Sequence, residues 1–278
     1  MKVAYVTCGD PIVRFDDERE AVLAAWLGAG IEGSTAAWDD PAVDWASFDA
    51  AVVRSTWNYI ERRDDFVAWA HATERVTRLF NPASVLEWNT DKSYMRDLGV
   101  PTVPTYWAEP GATVEPPEWA EYVVKPTISA GARDTVRTAD RDAARAHADR
   151  LLAEGRAVMV QPYVEAVERE GELSLLYFGG EFSHAVRRHP MLTGVAISED
   201  NKARLRDPDA DQFDLAELVL SKIKEELLYV RVDLVRLPGG EPVLMELEAA
   251  EPYLFLGYEL DAPDLFAQKL AERLRHTP

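Results

Sequence analysis

The chain has 278 residues, 47% of them hydrophobic and 8 of them Trp, enough to bury a sizeable core and fill roughly two or three small domains. The formal charge of −19, from 30 basic against 49 acidic residues spread along the chain, provides no basic face for a phosphate backbone, which argues against nucleic acid as a partner. One cysteine, Cys8, leaves no intramolecular disulfide, no apolar run has the length of a bilayer crossing, and no signal peptide precedes the first strand-like run, so a reducing cytoplasm is expected.

Read for period, the first part alternates strand and helix: a strand at Lys2–Cys8, a helix at about Glu18–Gly28, a short strand near Gly33–Trp38, a strand at Ala50–Arg54 and a helix around Asp64–Arg75. This predicts a small α/β domain with a parallel sheet. Ligands of such sheets sit beyond the carboxyl ends of the strands, which singles out Thr7, Cys8, Gly9, Asp10 and the run Arg54-Ser55-Thr56-Trp57-Asn58-Tyr59 as a substrate pocket. The plainer alternative is that Trp57 and Tyr59 are core aromatics at a strand end.

A turn at Asn81-Pro82 leads to a helix starting near Thr90 or Asp91, either of which can cap it. Five prolines between Pro101 and Pro117 read as a linker into a second domain. That domain reads as strand Glu121–Lys125, a small-residue loop at Thr127–Ala132, a helix at about Asp140–Glu154 and strand Ala157–Gln161. A third part begins at Glu172, where strands Glu172–Phe178 and Glu181–Val186 flank Gly179-Gly180, a pair suited to a two-residue hairpin. A helix near Phe213–Leu227, a strand Tyr229–Leu237, a Pro-Gly-Gly turn, a strand Val243–Glu248 and a helix from about Pro263 to Arg275 complete the chain.

Alternation along the last two strands puts Arg231 and Asp233 on one face and Glu246 and Glu248 on one face, and the turn between them lets the strands pair. Three carboxylates gathered in this way repel one another unless a cation compensates, and hard oxygen ligands suit Mg²⁺. Arg231 beside them is placed to hold a phosphate. A solvated outer face of an antiparallel hairpin explains the same charges equally well. Lys92, at the start of a helix, and Lys125, before Pro126 and the loop Ser129-Ala130-Gly131-Ala132, are anion-binding candidates, although most lysines are only surface charges. The chain contains no Gly-x-x-x-x-Gly-Lys-Ser/Thr, Gly-x-Gly-x-x-Gly, Cys-x-x-Cys or His-x-x-x-His. Of the five histidines, His184 reads as a hydrogen-bonded structural residue in a hairpin strand.

The order Trp88-Asn89-Thr90-Asp91-Lys92, Val123-Val124-Lys125-Pro126, Val160-Gln161-Pro162-Tyr163-Val164, Gly171-Glu172, Arg231-Val232-Asp233 and Glu246-Leu247-Glu248 resembles the ATP-grasp superfamily over nearly the whole chain. Arg54 to Tyr59, Asn81-Pro82, Ser183 to Arg187 and Glu248 to Phe255 look like the actinobacterial branch that is related to glutathione synthetase and the ribosomal-protein glutamate ligases and includes D-cycloserine synthetase. The resemblance implies a mixed α/β ATP-grasp fold with an N-terminal parallel domain (1–88), a central subdomain (89–164) and a C-terminal subdomain with a Mg²⁺ site (165–278).

It further implies that Lys92 and Lys125 contact the phosphates of ATP, that the loop with Ser129, Ala130 and Gly131 closes over them, that Gln161, Pro162, Tyr163 and Val164 receive adenine, and that Glu172 holds the ribose. Asp233, Glu246 and Glu248 would bind two Mg²⁺ ions, and Arg231 and Arg187 would stabilise an acyl phosphate. Thr7, Cys8, Arg54, Ser55, Thr56, Trp57, Tyr59 and Glu251 would face the substrate. Two departures stand out: Glu248 occupies a position where many ATP-grasp enzymes carry Asn, and Met191–Asp211 is not the basic, Gly-rich loop of the cycloserine branch, leaving Lys202, Arg204 and Arg206 to do its work.

The leading expectation is ATP-dependent ligation of an amino acid to an amine or second amino acid through an acyl phosphate. Ring closure of a ureido- or amino-acid substrate is the alternative within the class, and a non-catalytic ATP-binding protein the alternative outside it. Small-molecule substrates are the expected partners, with a homodimer allowed. Cys8 has no sequence-visible base and reads as a packed thiol rather than a nucleophile.

Overall fold

The computed structural model describes residues 1–189, 192 and 203–276. It opens on β1 (Lys2–Thr7), buried from Val3 onward and therefore a central strand covered on both faces. After α1 (Arg19–Gly28) come β2 (Glu32–Ala37), β3 (Ala50–Ser55), α2 (Arg63–Glu74) and β4 (Arg78–Phe80). The four strands form a parallel sheet in the order β2-β1-β3-β4. Alternate residues leave the sheet in opposite directions: Val3, Tyr5 and Val52 pack with Trp26 of α1, whereas Ala4, Val6 and Val53 pack with Phe66 of α2.

A further helix, α3 (Ala83–Asn89), follows Pro82, where the sequence predicts only a turn. The helix expected at Asp91 is a single 3-10 segment, Lys92–Arg96, whose Ser93 N–H is capped by Asp91 Oδ1 at 2.9 Å. Next come β5 (Tyr106–Ala108), β6 (Tyr122–Pro126), β7 (Val136–Thr138), α4 (Arg141–Ala153) and β8 (Val158–Pro162). They build a four-stranded antiparallel sheet ordered β5-β8-β6-β7, with its own core of Tyr122, Val124, Leu151 and Val160. The proline-rich segment is therefore no free linker, because β5 lies within it and Thr102 bridges Leu244.

The last part holds α5 (Ala166–Glu170), β9 (Glu172–Phe178), β10 (Glu181–Arg188), β11 (Ala203–Leu205), α6 (Ala210–Leu220), β12 (Tyr229–Arg236), β13 (Pro242–Glu248) and α7 (Ala262–Arg275). Its antiparallel sheet runs β11-β10-β9-β12-β13. The β9–β10 turn takes Gly179 at φ 58° and Gly180 at φ 87°, as the Gly-Gly pair predicts. Helix α6 ends at Leu220 rather than Leu227, since Leu227 and Leu228 leave it to join two different cores ahead of β12.

This sheet has two unlike faces. One carries Leu173, Leu175, Val232, Leu234 and Leu247 and packs against Leu215 and Val219 of α6. The other changes character along its length: Phe178, Leu176, Val186 and Tyr229 pack on Phe266 of α7 and on the Trp26 cluster of the N-terminal sheet, and further along the same face emerge Ser174, Glu172, Arg188, Arg231 and Asp233. Each large apolar side chain buried here contributes about 1.5–3 kcal/mol. Among the described residues no helix is long and apolar enough to cross a membrane.

Candidate active site

The charged end of that face forms one wall of a cavity of about 970 Å³ bounded by the two antiparallel sheets and by the segments that follow β1 and β3. Register sets the wall: Arg231 lies opposite Glu248 and Asp233 opposite Glu246 across β12 and β13, so all four side chains leave on one side. Arg231 binds Asp233 through Nη2 at 2.9 Å and also pairs with Glu248. Arg188, at the end of β10, donates to Asp233 Oδ2 at 2.8 Å, Glu172 Oε2 at 2.9 Å and Ser174 Oγ at 2.8 Å.

Two lysines approach from the opposite side. Lys92 Nζ lies 2.6 Å from the Ser129 carbonyl and 3.0 Å from Glu246 Oε1, and its backbone N–H binds Thr127 O, so the 3-10 segment is stitched to the small-residue loop. Lys125 faces the cavity because its neighbours on β6, Val124 and Pro126, point away from it. In the loop after β6, Gly131 and Ala132 adopt φ of 60° and 57°, both in the left-handed range, and the loop lies against the cavity from Ser129 to Arg133.

Burial and charge together set the protonation of this wall. Burial opposes ionisation of Asp233, but Arg188 and Arg231 outweigh it and hold the carboxyl below its ordinary range. Glu246 is likewise held down by Lys92 and Lys125 against burial. Burial pushes Glu248 up to about 7, with Glu246 and Asp233 adding to the shift and Arg231 opposing it. Burial, then Glu248, pushes Glu251 up to about 8. Lys125 falls below the usual lysine range, chiefly through burial. Seven carboxyl side chains line the cavity against five cationic ones, and burial favours the protonated form of Glu248 and Glu251 among them.

The family described as "D-cycloserine synthetase DcsG, N-terminal domain" matches residues 3–81. The "Cycloserine biosynthesis protein DcsG" of Streptomyces lavendulae is 37% identical over 283 residues, covering 94% of this chain and 95% of that protein. The chain belongs to the D-cycloserine synthetase family. The crystal structure of D-cycloserine synthetase DcsG superimposes on this member of the family with a TM-score of 0.89 at 36% identity, over 99% of this chain and 100% of that one. The ATP-grasp ligase PsnB, solved with a minimal precursor, Mg and ADP, shares the fold alone, with a TM-score of 0.61 at 16% identity over 99% and 98% of the two chains. The mixed α/β ATP-grasp architecture expected from the sequence is the one observed, and membership of the D-cycloserine synthetase family agrees with the ligase expectation.

Within this family member most of the expected residues come together. Lys92, Lys125, Ser129, Ala130, Gly131, Gln161, Pro162, Tyr163, Val164, Glu172, Arg231, Asp233, Glu246 and Glu248 all line the cavity, as do Trp57, Tyr59 and Glu251 at its N-terminal end. The charges on β12 and β13 are therefore not a solvated outer face. Trp57 Nε1 reaches the Glu251 carbonyl at 3.4 Å, joining the two segments. The Gln161 side chain is turned to Thr105 Oγ1 at 2.9 Å.

Other expectations are corrected. Arg187 is not on the cavity wall: it leaves β10 on the opposite face and donates to the Glu170 and Arg169 carbonyls of α5. Arg188 takes the position that the sequence reading gave to Arg187. Thr7, Cys8, Ser55 and Thr56 are buried behind the cavity, where Ser55 Oγ bonds Thr7 Oγ1 at 3.0 Å. Arg54 is also internal, paired with Glu18 at 3.3 Å. The strands β1 and β3 end short of the cavity, and the side chains that reach it come from the segments after them, Asp10, Ile12 and Phe15 after β1 and Trp57 to Glu61 after β3. His184 is buried and bonded to Ser183 Oγ, in keeping with a structural role.

Sequence reasoning missed Arg188, Tyr253, Phe255 and Asn89. Asn89 Nδ2 donates to Leu247 O at 2.8 Å while its Oδ1 accepts from Ala249 N at 2.7 Å, which fixes the end of β13. The signal available for Asn89 was its place in the Trp88–Lys92 run. Glu199, Asp200, Asn201 and Lys202 of the atypical segment lie outside the described residues; Arg204 lies on β11, with Arg206 just beyond it.

Proposed function

We propose that this enzyme uses Mg²⁺ and ATP to activate a carboxyl group of a small amino-acid-like substrate as an acyl phosphate, which a nitrogen nucleophile then attacks. The observation that carries this reading is the wall on which Arg188, Arg231, Asp233, Glu246 and Glu248 alternate in charge, opposite Lys92 and Lys125. The segments that would clamp the nucleotide are 89–164 and 165–278, and 1–88 would supply the substrate end.

In this scheme Lys92, Lys125 and the backbone N–H groups of Ser129, Ala130 and Gly131 receive phosphates. The chain from Gln161 to Val164 receives adenine, and Glu172 the ribose. Arg231 and Arg188 neutralise charge as the γ-phosphoryl group meets the substrate carboxylate, an encounter of two anions that needs compensation. Trp57, Tyr59 and Glu251 hold the substrate.

The donor set of Asp233, Glu246 and Glu248 fits Mg²⁺. Its oxygens are hard, share one face of a hairpin, and include a Glu248 that burial, with Glu246 and Asp233 adding to it, keeps from ordinary ionisation. Among the described residues no three such side chains already converge on one point, since Arg231, Arg188 and Lys92 pair with them; these partners would swing toward phosphate as metal binds. Bound Mg²⁺, in one or two ions, would supply Lewis-acid stabilisation of the transferring phosphoryl group.

Ring closure of a single ureido-amino acid is the second reading. It is favoured by likeness to a cycloserine biosynthesis protein along nearly the whole chain, including the substrate end. ADP release with Mg-ATP is the test, against single amino acids, amino-acid pairs and O-ureido-D-serine, with product masses followed. A product equal to two amino acids less water establishes ligation. Turnover of the ureido compound alone establishes ring closure, and silence across the panel overturns both.

A further inference from the structure

The loop between β13 and α7 carries Glu251, Tyr253 and Phe255 into the cavity, and it is anchored from the N-terminal sheet by an ion pair that the scheme above leaves unused. Glu18, just ahead of α1, and Arg54, near the end of β3, each expose only 3% of their side chains. Glu18 Oε2 accepts from Arg54 Nη2 at 3.3 Å and from the backbone N–H of Leu254 at 2.9 Å, and Oε1 accepts from the N–H of Leu256 at 2.9 Å. Arg54 Nη2 also donates to the Pro252 carbonyl at 2.8 Å.

Between the two amides that Glu18 binds sits Phe255, with φ 54° and ψ 33°. A non-glycine residue in this left-handed region is strained and persists only where its surroundings hold it. The carboxylate of Glu18 supplies that hold by receiving both flanking N–H groups. The other side of the same loop touches the catalytic wall. Arg231 Nη1 donates to the Tyr253 carbonyl at 3.0 Å, and the guanidinium carbons of Arg231 and Arg188 stand 5.7 and 6.0 Å from the centroid of the Phe255 ring.

Stability alone does not account for such a pair. A buried ion pair commonly repays no more than its desolvation cost, and here Arg54 Nε and Nη1 are buried without hydrogen-bond partners. What the pair secures is geometry. We propose that Glu18 and Arg54 are positioning residues for the ligase reaction: they hold Phe255 in its left-handed conformation beneath Arg231 and Arg188, and so aim both guanidiniums at the transferred phosphoryl group. The inference rests on the assignment of these arginines in the proposed function.

The experiment uses the full chain with Glu18→Gln, which keeps the size but removes the charge. Hydrogen exchange at the Leu254 and Leu256 amides should accelerate while β1 and β12 amides remain protected. In the Mg-ADP complex, affinity for orthovanadate, a probe for the transferred phosphoryl group, should fall about tenfold or more, while affinity for Mg-ADP itself stays within about twofold; a displacement near 1 Å at a reacting group costs about 10²-fold in favourable cases. Glu18→Asp retains the charge opposite Arg54 with a shorter reach, and it gives the same readouts if Glu18→Gln does not fold.

Faster exchange with unchanged vanadate affinity overturns the proposal and leaves the pair a purely structural tie. Unchanged exchange overturns it as well. If the wild-type Mg-ADP complex binds no vanadate, the phosphoryl-site reading itself fails and takes the proposal with it, a result separable from the first two because it appears before any substitution is made.

Discussion

Arg187 and Arg188 are adjacent on β10 and leave it on opposite faces, so replacing each by Met in turn isolates the contribution of the wall. Arg188 makes three charge-assisted or polar bonds on the cavity side, to Asp233, Glu172 and Ser174. Its removal leaves Asp233 with Arg231 as partner, which limits the loss of stability. The cost to transition-state stabilisation should resemble that of deleting one preorganised donor from an anion hole, about 10²–10³ in kcat, or about 2.7–4 kcal/mol. Arg187 instead satisfies two carbonyls at the end of α5. Its loss should cost about 1–3 kcal/mol of stability with kcat within about threefold. Thermal unfolding of both variants, together with ADP release under Mg-ATP and a substrate found active on the wild type, makes the comparison. A loss of kcat in Arg187→Met, with Arg188→Met near normal, would refute the placement of the wall on this face.

Three further outcomes are expected. Glu246→Gln should fold yet lose nearly all ADP formation, since it removes a charge shared by Lys92 and the proposed metal; near-normal turnover would remove the metal site. Mg²⁺ affinity, measured by calorimetry without nucleotide, should strengthen as pH rises through about 7: Glu248 is pushed up to about 7, so protons compete with metal below that pH and are released above it. The same upward shift means that Glu248 favours the metal-free folded state at low pH and that this contribution is lost as pH rises from the ordinary carboxylate range through about 7. Cys8→Ala should retain turnover, because the thiol is buried behind the cavity and burial pushes its pKa up rather than activating it; abolished turnover would overturn this.

Where the sequence spoke through period and turn chemistry, the fold followed. The parallel N-terminal strands, the Gly179-Gly180 hairpin and the carboxylates of β12 and β13 were legible because alternation and turn residues are local. Strand β4 and helix α3 were not, since three and seven residues give too little periodicity. Strand β5 was hidden by the prolines around it, and only its pairing with β8 makes it a strand. The two arginines show a different limit. Arg187 was expected only from the family resemblance, and a register irregularity between Phe182 and His184 shifts the pairing of β10 with β9 so that Arg188, not Arg187, lies opposite Glu172. Arg54 misled for another reason: a charged residue at a strand end suggests a ligand, and its partner Glu18, 36 positions earlier, is invisible to local reading.

The shared face of the five-stranded sheet also bears on how such enzymes can be recombined. Tyr5 of the N-terminal sheet and Trp26 of α1 belong to one core with Phe178, Tyr229 and Phe266, so a crossover after residue 81 would cut through a packed interior rather than a seam. The sheet formed by β5 to β8 keeps a core of its own around Tyr122 and Leu151. In chimeras with relatives, that central sheet is the module to exchange, whereas a new substrate range calls for changing single side chains such as Trp57 or Tyr253 in place.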